Sequence, residues 1–214
     1  MTERARPMGG SARGPYAKSA EVRQKILDAC IEAFGAGGFH GATMKEISAR
    51  AGISQTGLLH HFSSKAELLA EVLAAHERDI AKIVREADDL HMLQAQLRIV
   101  QANEARPGLV QLHSMIASEA TVRTHPAHEL YRVRYDNLRL HLTGIFAELR
   151  GRGCLKTETK PEILANLLVA VIDGLQVQWL YNPGVVNMEA GVEAFLAGVM
   201  DETDANPSDG GNVS

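Results

Sequence analysis

The chain has 214 residues, 45% hydrophobic and 22% charged, with two cysteines and a formal net charge of −4. That composition excludes a disordered chain, a collagen and a disulfide-stapled miniprotein, and the length allows one or two domains with ample chain to bury a core. The charge is uneven: residues 1–65 carry +4 and residues 66–214 carry −8, and a basic head on an acidic body points to a nucleic-acid-facing end.

Residues 1–18 are rich in Gly, Pro, Ser and Arg and are expected to form a flexible basic arm, extending to about residue 19. They contain no apolar h-region, so no signal peptide is expected and the default address is the cytoplasm. Cys30 and Cys154, far apart in sequence, are then expected as reduced thiols. The first helix is predicted from about Ala20 to Ala36, with Val22, Ile26, Ala29, Cys30, Ala33 and Phe34 on one apolar face and Gly35, Gly37 and Gly38 ending it. Thr43-Met44-Lys45-Glu46 has the pattern of a capping box and opens a short helix to Ala51. Gly52 turns the chain, Ser54 caps a third short helix to Phe62, and Ser64-Lys65-Ala66-Glu67 is a second capping box that opens a long helix. No Gly or Pro occurs between Leu58 and Arg106, and no stretch alternates with period two, so the chain is predicted to be all-α. Breaks at Asp88-Asp89, Arg106-Pro107-Gly108, His125-Pro126, Gly151 to Pro161 and Asn182-Pro183-Gly184 delimit helices near 90–105, 108–122, 126–150, 160–181 and 187–201. Thr203 to Ser214 is expected to be a disordered tail. The most apolar stretch, Ile163 to Ile172, stops at Asp173 after ten residues, whereas a membrane span needs about twenty.

Helices 44–51 and 54–62 with the turn at Gly52 have the spacing of a helix-turn-helix. Ile47, Ala51, Ile53, Leu58 and Phe62 can pack inward, which leaves Gln55, Thr56, Leu59, His60 and His61 outside. A major groove admits one helix, where Gln can pair with adenine and Thr can meet a thymine methyl. The same geometry also fits a helical hairpin that binds no DNA.

The resemblance to a known family separates these readings. Ile26-Leu27-Asp28-Ala29, Phe34 with Gly37-Gly38-Phe39, Thr43-Met44-Lys45-Glu46-Ile47, Ala51-Gly52-Ile53-Ser54, Leu58 with His61-Phe62-Ser63-Ser64-Lys65, and Glu67-Leu68-Leu69 occur in the order and spacing of the DNA-binding domain of the tetracycline-repressor (TetR) family. His125-Pro126 and Asp173-Gly174-Leu175-Gln176 with Trp179-Leu180 resemble one subgroup more loosely. The resemblance implies a homodimer, each subunit with a helix-turn-helix head at 20–65 and a helical effector-binding and dimerisation body at 66–202. It places Gln55, Thr56, Gly57, His60 and His61 at base-reading positions and Thr43, Lys45 and Lys65 near phosphates, with Arg13 and Lys18 on an arm toward the minor groove. Leu59 stands where the family has Tyr, so one backbone contact is missing or supplied by His60.

Rival chemistries lack their residues. Gly35-Ala36-Gly37-Gly38 follows a helix rather than a strand, unlike a phosphate loop. His125 and His128 have ligand-like spacing without a supporting Cys or carboxylate cluster, so no metal is expected. No Walker motif, Gly-x-Ser-x-Gly elbow or Glu-x-x-His pair occurs, and no cofactor is expected. Cys154 follows Arg150 and Arg152, which would favour its thiolate, although an idle surface thiol is the simpler reading. Helix 160–181 is apolar nearly all round, so one face can serve the subunit and another a partner. With helix 187–201 it would build a dimer interface through Leu164, Leu168, Val171, Leu175, Val192, Phe195 and Val199. Helical stretches where polar groups sit among apolar ones offer candidates for an effector pocket: His113, Met115, Ile116, Tyr135, Arg139, Gln176 and Trp179. The expected function is a dimeric repressor released from a near-palindromic double-stranded operator by a small, largely apolar effector, with no membrane partner. A helical enzyme or carrier, and an activator or architectural binder without a ligand, are the alternatives.

Overall fold

The computed structural model describes residues 15–85 and 92–201. Residues 1–14 of the expected arm (with Arg13), the Asp88-Asp89 break and the C-terminal tail lie outside the described residues, whereas residues 15–19, also expected in the arm, are helical. The described residues form α1 (Pro15–Gly41), α2 (Met44–Arg50), α3 (Gln55–His61), α4 (Lys65–Arg85), α5 (Met92–Glu104), α6 (Pro107–Glu119), α7 (His128–Gly151), α8 (Pro161–Tyr181) and α9 (Met188–Val199). No strand occurs among them. An isolated antiparallel bridge between Leu155 and Met200 ties the α7–α8 loop to the end of α9.

Several boundaries differ from expectation, among them the start of α1 at Pro15 and the end of α6 at Glu119, and two have a physical reason. α1 runs past Gly35 and Gly37 and breaks only at Gly38, whose φ of +65° a side chain rarely adopts. Gly35 lies within the helix where α6 crosses α1: a Cβ there would lie 3.4 Å from the Gly108 carbonyl oxygen. α7 begins at His128 rather than Pro126 because the His125 ring accepts the Ala127 N–H through Nδ1 at 3.1 Å and holds the preceding turn. The His128 ring spans 2.7 Å to the Ala120 carbonyl, so both histidines staple this turn. Among the described residues no group of three or more His, Cys, Asp or Glu is placed to hold a metal.

Two apolar clusters form the core. The first joins Ile26, Cys30 and Phe34 of α1 with Ile47, Leu58, Phe62, Leu68, Leu69 and Leu73, and continues into Leu112 and Ile116 of α6. The second joins Val100, Val110, Leu142, Phe146, Leu164, Leu168, Trp179, Val192 and Leu196. α6 therefore contributes to both, and the head's core does not stop at residue 65. Cys30 is fully buried and burial pushes its thiol pKa well up. Cys154 is also buried, not at the surface, and no disulfide joins the two.

α8 is long and apolar enough, by length and composition, to cross a membrane. Asp173, which interrupts the apolar run, sits within this helix as expected and accepts a hydrogen bond from the Tyr135 hydroxyl of α7 at 2.9 Å. Three of the residues expected at a dimer interface are instead in the subunit's own core: Leu164, Leu168 and Val192 are buried at 0–1% exposure. Val171, Leu175, Phe195 and Val199 are half-buried against that same core. The outward stripe of α8 comprises Ile163, Leu167, Ala170 and Tyr181, at helical spacing, with Ile163 47% and Tyr181 88% exposed.

Candidate nucleic-acid interface and the cavity behind it

The second helix of the helix-turn-helix is set by two anchors and a cap. Leu58 is fully buried, Phe62 nearly so, and the Ser54 hydroxyl accepts the Gly57 N–H at 3.0 Å. This phase leaves Gln55, Thr56, Leu59 and His60 exposed, with His61 half-buried. Gly57 lies under the cap, where a Cβ would come within 3.2 Å of the Ser54 hydroxyl. The Thr43 hydroxyl accepts the Glu46 N–H at 3.1 Å, but Glu46 pairs with Arg50 at 2.9 Å, so only half of the expected capping box forms. The second box is displaced by one residue: Ser64 accepts the Glu67 N–H at 3.1 Å, while Glu67 accepts from the backbone and hydroxyl of Ser63. Those bonds pull the Glu67 carboxyl below its usual range.

Thr43 and Lys45 are exposed beside α3. Lys65 is committed inward: its ammonium donates to the Phe39 carbonyl at 2.6 Å and the Ala42 carbonyl at 2.8 Å, and sits 4.5 Å from the Phe39 ring centroid. It thus closes the C-terminal end of α1, where helix carbonyls lack partners. Lys18 lies in α1.

The junction between head and body is a carboxylate. Glu119, the last residue of α6, accepts the Phe39 N–H at 2.8 Å. Its carboxylate fills the space beside Gly38 where a Cβ would overlap it. His125 lies 3.5 Å from the same carboxylate oxygen and packs edge-on against Phe39 at 5.1 Å. Burial lowers the His125 pKa, with Glu119 pulling the other way.

Behind this junction a cavity of about 490 Å³ opens between α4, α5, α6, α7 and α8. Its walls are largely apolar, with Ile80, Val84, Leu109, Val110, Val169 and Ile172. A polar cluster interrupts them. Arg134 pairs with Glu77, Tyr135 is bound to Asp173, and the Tyr131 hydroxyl lies 3.0 Å from His113 Nδ1. The His76 and His113 rings are 4.5 Å apart. Burial pushes His113 down to about 4. His76 falls to about 2, first by burial and then by the positive fields of His113, Arg134 and Arg106. Burial raises Asp173, against the pull of Tyr135 and Arg134, and lifts Tyr135 to about 12.

Of the expected pocket residues, His113, Tyr135 and Gln176 line this cavity. Four do not. Ile116 is in the first core cluster and Trp179 in the second, Met115 is half-buried elsewhere, and Arg139 pairs with Asp136 at the surface. The sequence reading missed His76, Glu77, Tyr131, Arg134 and Asp173. One signal was available: His76 continues the α4 stripe of Leu69, Val72 and Leu73, and a titratable residue on an apolar stripe either binds or costs stability.

Residues 26–72 match the model of bacterial regulatory proteins of the tetR family, and residues 92–203 match that of BetI-type transcriptional repressors, C-terminal part. The regulator BetI of Escherichia coli is 32% identical over 168 residues, covering 74% of this chain and 80% of BetI. Three further regulators, from Mycolicibacterium smegmatis and Pseudomonas putida, are 38–44% identical over 69 to 82 residues, and the chain spans 32–52% of their length. Among solved structures, a SmeT–triclosan complex superposes with a TM-score of 0.71 at 20% identity, covering 87% of this chain and 95% of that one. A transcriptional regulator from Saccharomonospora viridis in complex with choline gives 0.69 at 22% identity, covering 85% and 99%.

Proposed function

The chain belongs to the tetR family of bacterial regulatory proteins, and from that premise we propose that it is a dimeric repressor that binds operator DNA and leaves it when a small molecule fills the body. The observation that carries the reading is the phase of α3: Leu58 and Phe62 anchor it while Gln55, Thr56 and His60 face solvent together. Such a helix can enter a major groove with its N-terminal residues against base edges. Gln55 and Thr56 read bases, Thr43 and Lys45 meet phosphates, and Lys65 holds α1 in place with a third donor left for a phosphate. Arg13 and Lys18, the latter on the first turn of α1, add a contact toward the minor groove.

The match to a repressor-type C-terminal part supports repression. The dimer forms through the exposed Ile163, Leu167 and Tyr181 stripe of α8, with α9 beside it. Gly174 and Gly198 leave open space on these helices for close approach. The effector lies in the cavity, whose mostly apolar wall suits a small, largely apolar molecule. SmeT binds triclosan and the Saccharomonospora protein binds choline, so ligands of unlike chemistry fit this fold. The link is α6, which lines the cavity at Val110 and His113 and ends at Glu119 on the α1 break. Filling the cavity favours a position of α6, and so a spacing of the two heads, that an operator rejects.

Selection from a random duplex pool tests this. The enriched sequences should be inverted repeats with half-site centres about one turn, roughly 34–36 Å, apart. No enrichment at low salt contradicts the reading.

A further inference from the structure

Three pairs lie within the polar cluster of the cavity wall. Glu77 has Arg134, Asp173 has Tyr135, and His113 Nδ1 has the Tyr131 hydroxyl. Two buried side-chain atoms of lining residues make no hydrogen bond, Glu77 Oε1 and His113 Nε2; the first is held in the ion pair with Arg134, which leaves His113 Nε2. An unpaired buried polar atom is a cost to the folded protein unless something arrives to meet it.

From this we infer that the effector is a neutral molecule with an apolar body and one hydroxyl that hydrogen-bonds His113 Nε2. The inference rests on the reading of this cavity as the effector site and adds the ligand's class.

Three arguments carry it. The hydroxyl fits either tautomer of His113. The Tyr131 hydroxyl also lies 3.3 Å from the His113 carbonyl. If it donates there, His113 Nδ1 carries the proton, donates to the Tyr131 oxygen, and leaves Nε2 an acceptor. If it donates to Nδ1, then Nε2–H is a donor. A hydroxyl both donates and accepts, so it serves both arrangements. Charge is the second argument. The Arg134 guanidinium is matched by Glu77, and the Asp173 carboxylate accepts from Tyr135 with Arg134 nearby. A carboxylate or ammonium beside His113 would find no free counter-charge, because the exposed Arg85 lies nine residues, about 13 Å, further along α4 from His76, and an unpaired charge out of water is expensive. The third is the neutral state of His113, whose burial keeps it uncharged and so removes the remaining reason for an anion to bind there.

The test is isothermal titration of the full-length protein with four ligands on one frame: 4-hexylphenol, hexylbenzene, 4-hexylbenzoate and (4-hexylphenyl)trimethylammonium. The phenol should bind about tenfold tighter than the hydrocarbon, the value of one satisfied buried acceptor or donor. Both charged analogues should bind more weakly than the phenol. In H113F the phenol should lose its advantage while hexylbenzene still binds. H113Q, which keeps a polar atom near the Nε2 position, should retain the preference. If hexylbenzene equals the phenol in the unaltered protein, the hydroxyl is wrong and the cavity reading stands. If the benzoate or the ammonium binds tightest, the neutral class is wrong. A preference that survives H113F removes His113 from the role. Binding of none of the four overturns the cavity reading itself, and the inference with it. The unaltered protein's series decides the class even if both variants unfold.

Discussion

The DNA-facing head and the body bury different kinds of side chain. The head's core is apolar, and its buried polar residue Ser48 donates its hydroxyl to the Lys45 carbonyl at 2.9 Å within one turn. The body buries His76, Gln96, Asn103 and His125, and lines a cavity with the first three and with His113. A helix that reads base edges must hold one position, and a fully satisfied core gives it that. A region that receives a ligand keeps groups that are costly until the ligand comes. The difference is thus between a part stabilised by what it already touches and a part prepared for what it does not yet touch.

Breaking the head's anchor gives the largest effect. Leu58→Ala should cost about 2–5 kcal/mol, because the side chain is fully buried and its site cannot collapse around a short helix. Urea unfolding should show the loss, and operator binding should vanish while 4-hexylphenol still binds the body.

Acid should separate the two regions next. Unfolded imidazoles titrate near 6.5, whereas burial holds His113 down to about 4 and His76 down to about 2. Between about pH 6.5 and 4 the unfolded chain takes up protons that the folded chain refuses, so stability falls as pH falls through that window. His113 alone contributes up to about 3 kcal/mol of that fall at roughly 1.4 kcal/mol per unit. Denaturant midpoints at pH 7.5 and 5 should show it, and H113F should flatten the slope.

The junction comes third. Glu119→Ala leaves the Phe39 N–H without its acceptor and should cost about 1–3 kcal/mol. Operator affinity should also respond less to a cavity ligand than in the unaltered protein, read by anisotropy with and without 4-hexylphenol. The smallest effect on stability is at the reading face. Gln55→Ala touches no core and should leave the melting curve alone, yet cost about 1–3 kcal/mol of operator binding and relax preference at one position.

These two regions also differ in how much of them the sequence discloses. The head is short-range: Thr43, Ser54 and Ser64 each cap a helix within three residues, and Leu58 and Phe62 fix the phase of α3 by spacing alone. Its surprises are partner choices between neighbours, such as Glu46 pairing with Arg50 and Lys65 turning to α1. The cavity draws on five helices spread from His76 to Val177, and no local pattern records which of their polar residues meet. α8 shows the limit most clearly. A helix apolar on every side carries no periodic mark of which face points inward, so Leu164 and Leu168 could not be told from Ile163 and Leu167. Trp179, on the same helix, packs into the second core rather than facing the cavity.

The proposed mechanism couples a reading head to a receptive body through α6. It is tested by measuring selected-operator affinity with and without saturating 4-hexylphenol, and phenol affinity with and without operator. The two ratios should be equal, because coupling is reciprocal, and should correspond to a weakening of about 5–150-fold. Ratios of one, with both ligands bound at once and each indifferent to the other, would contradict it.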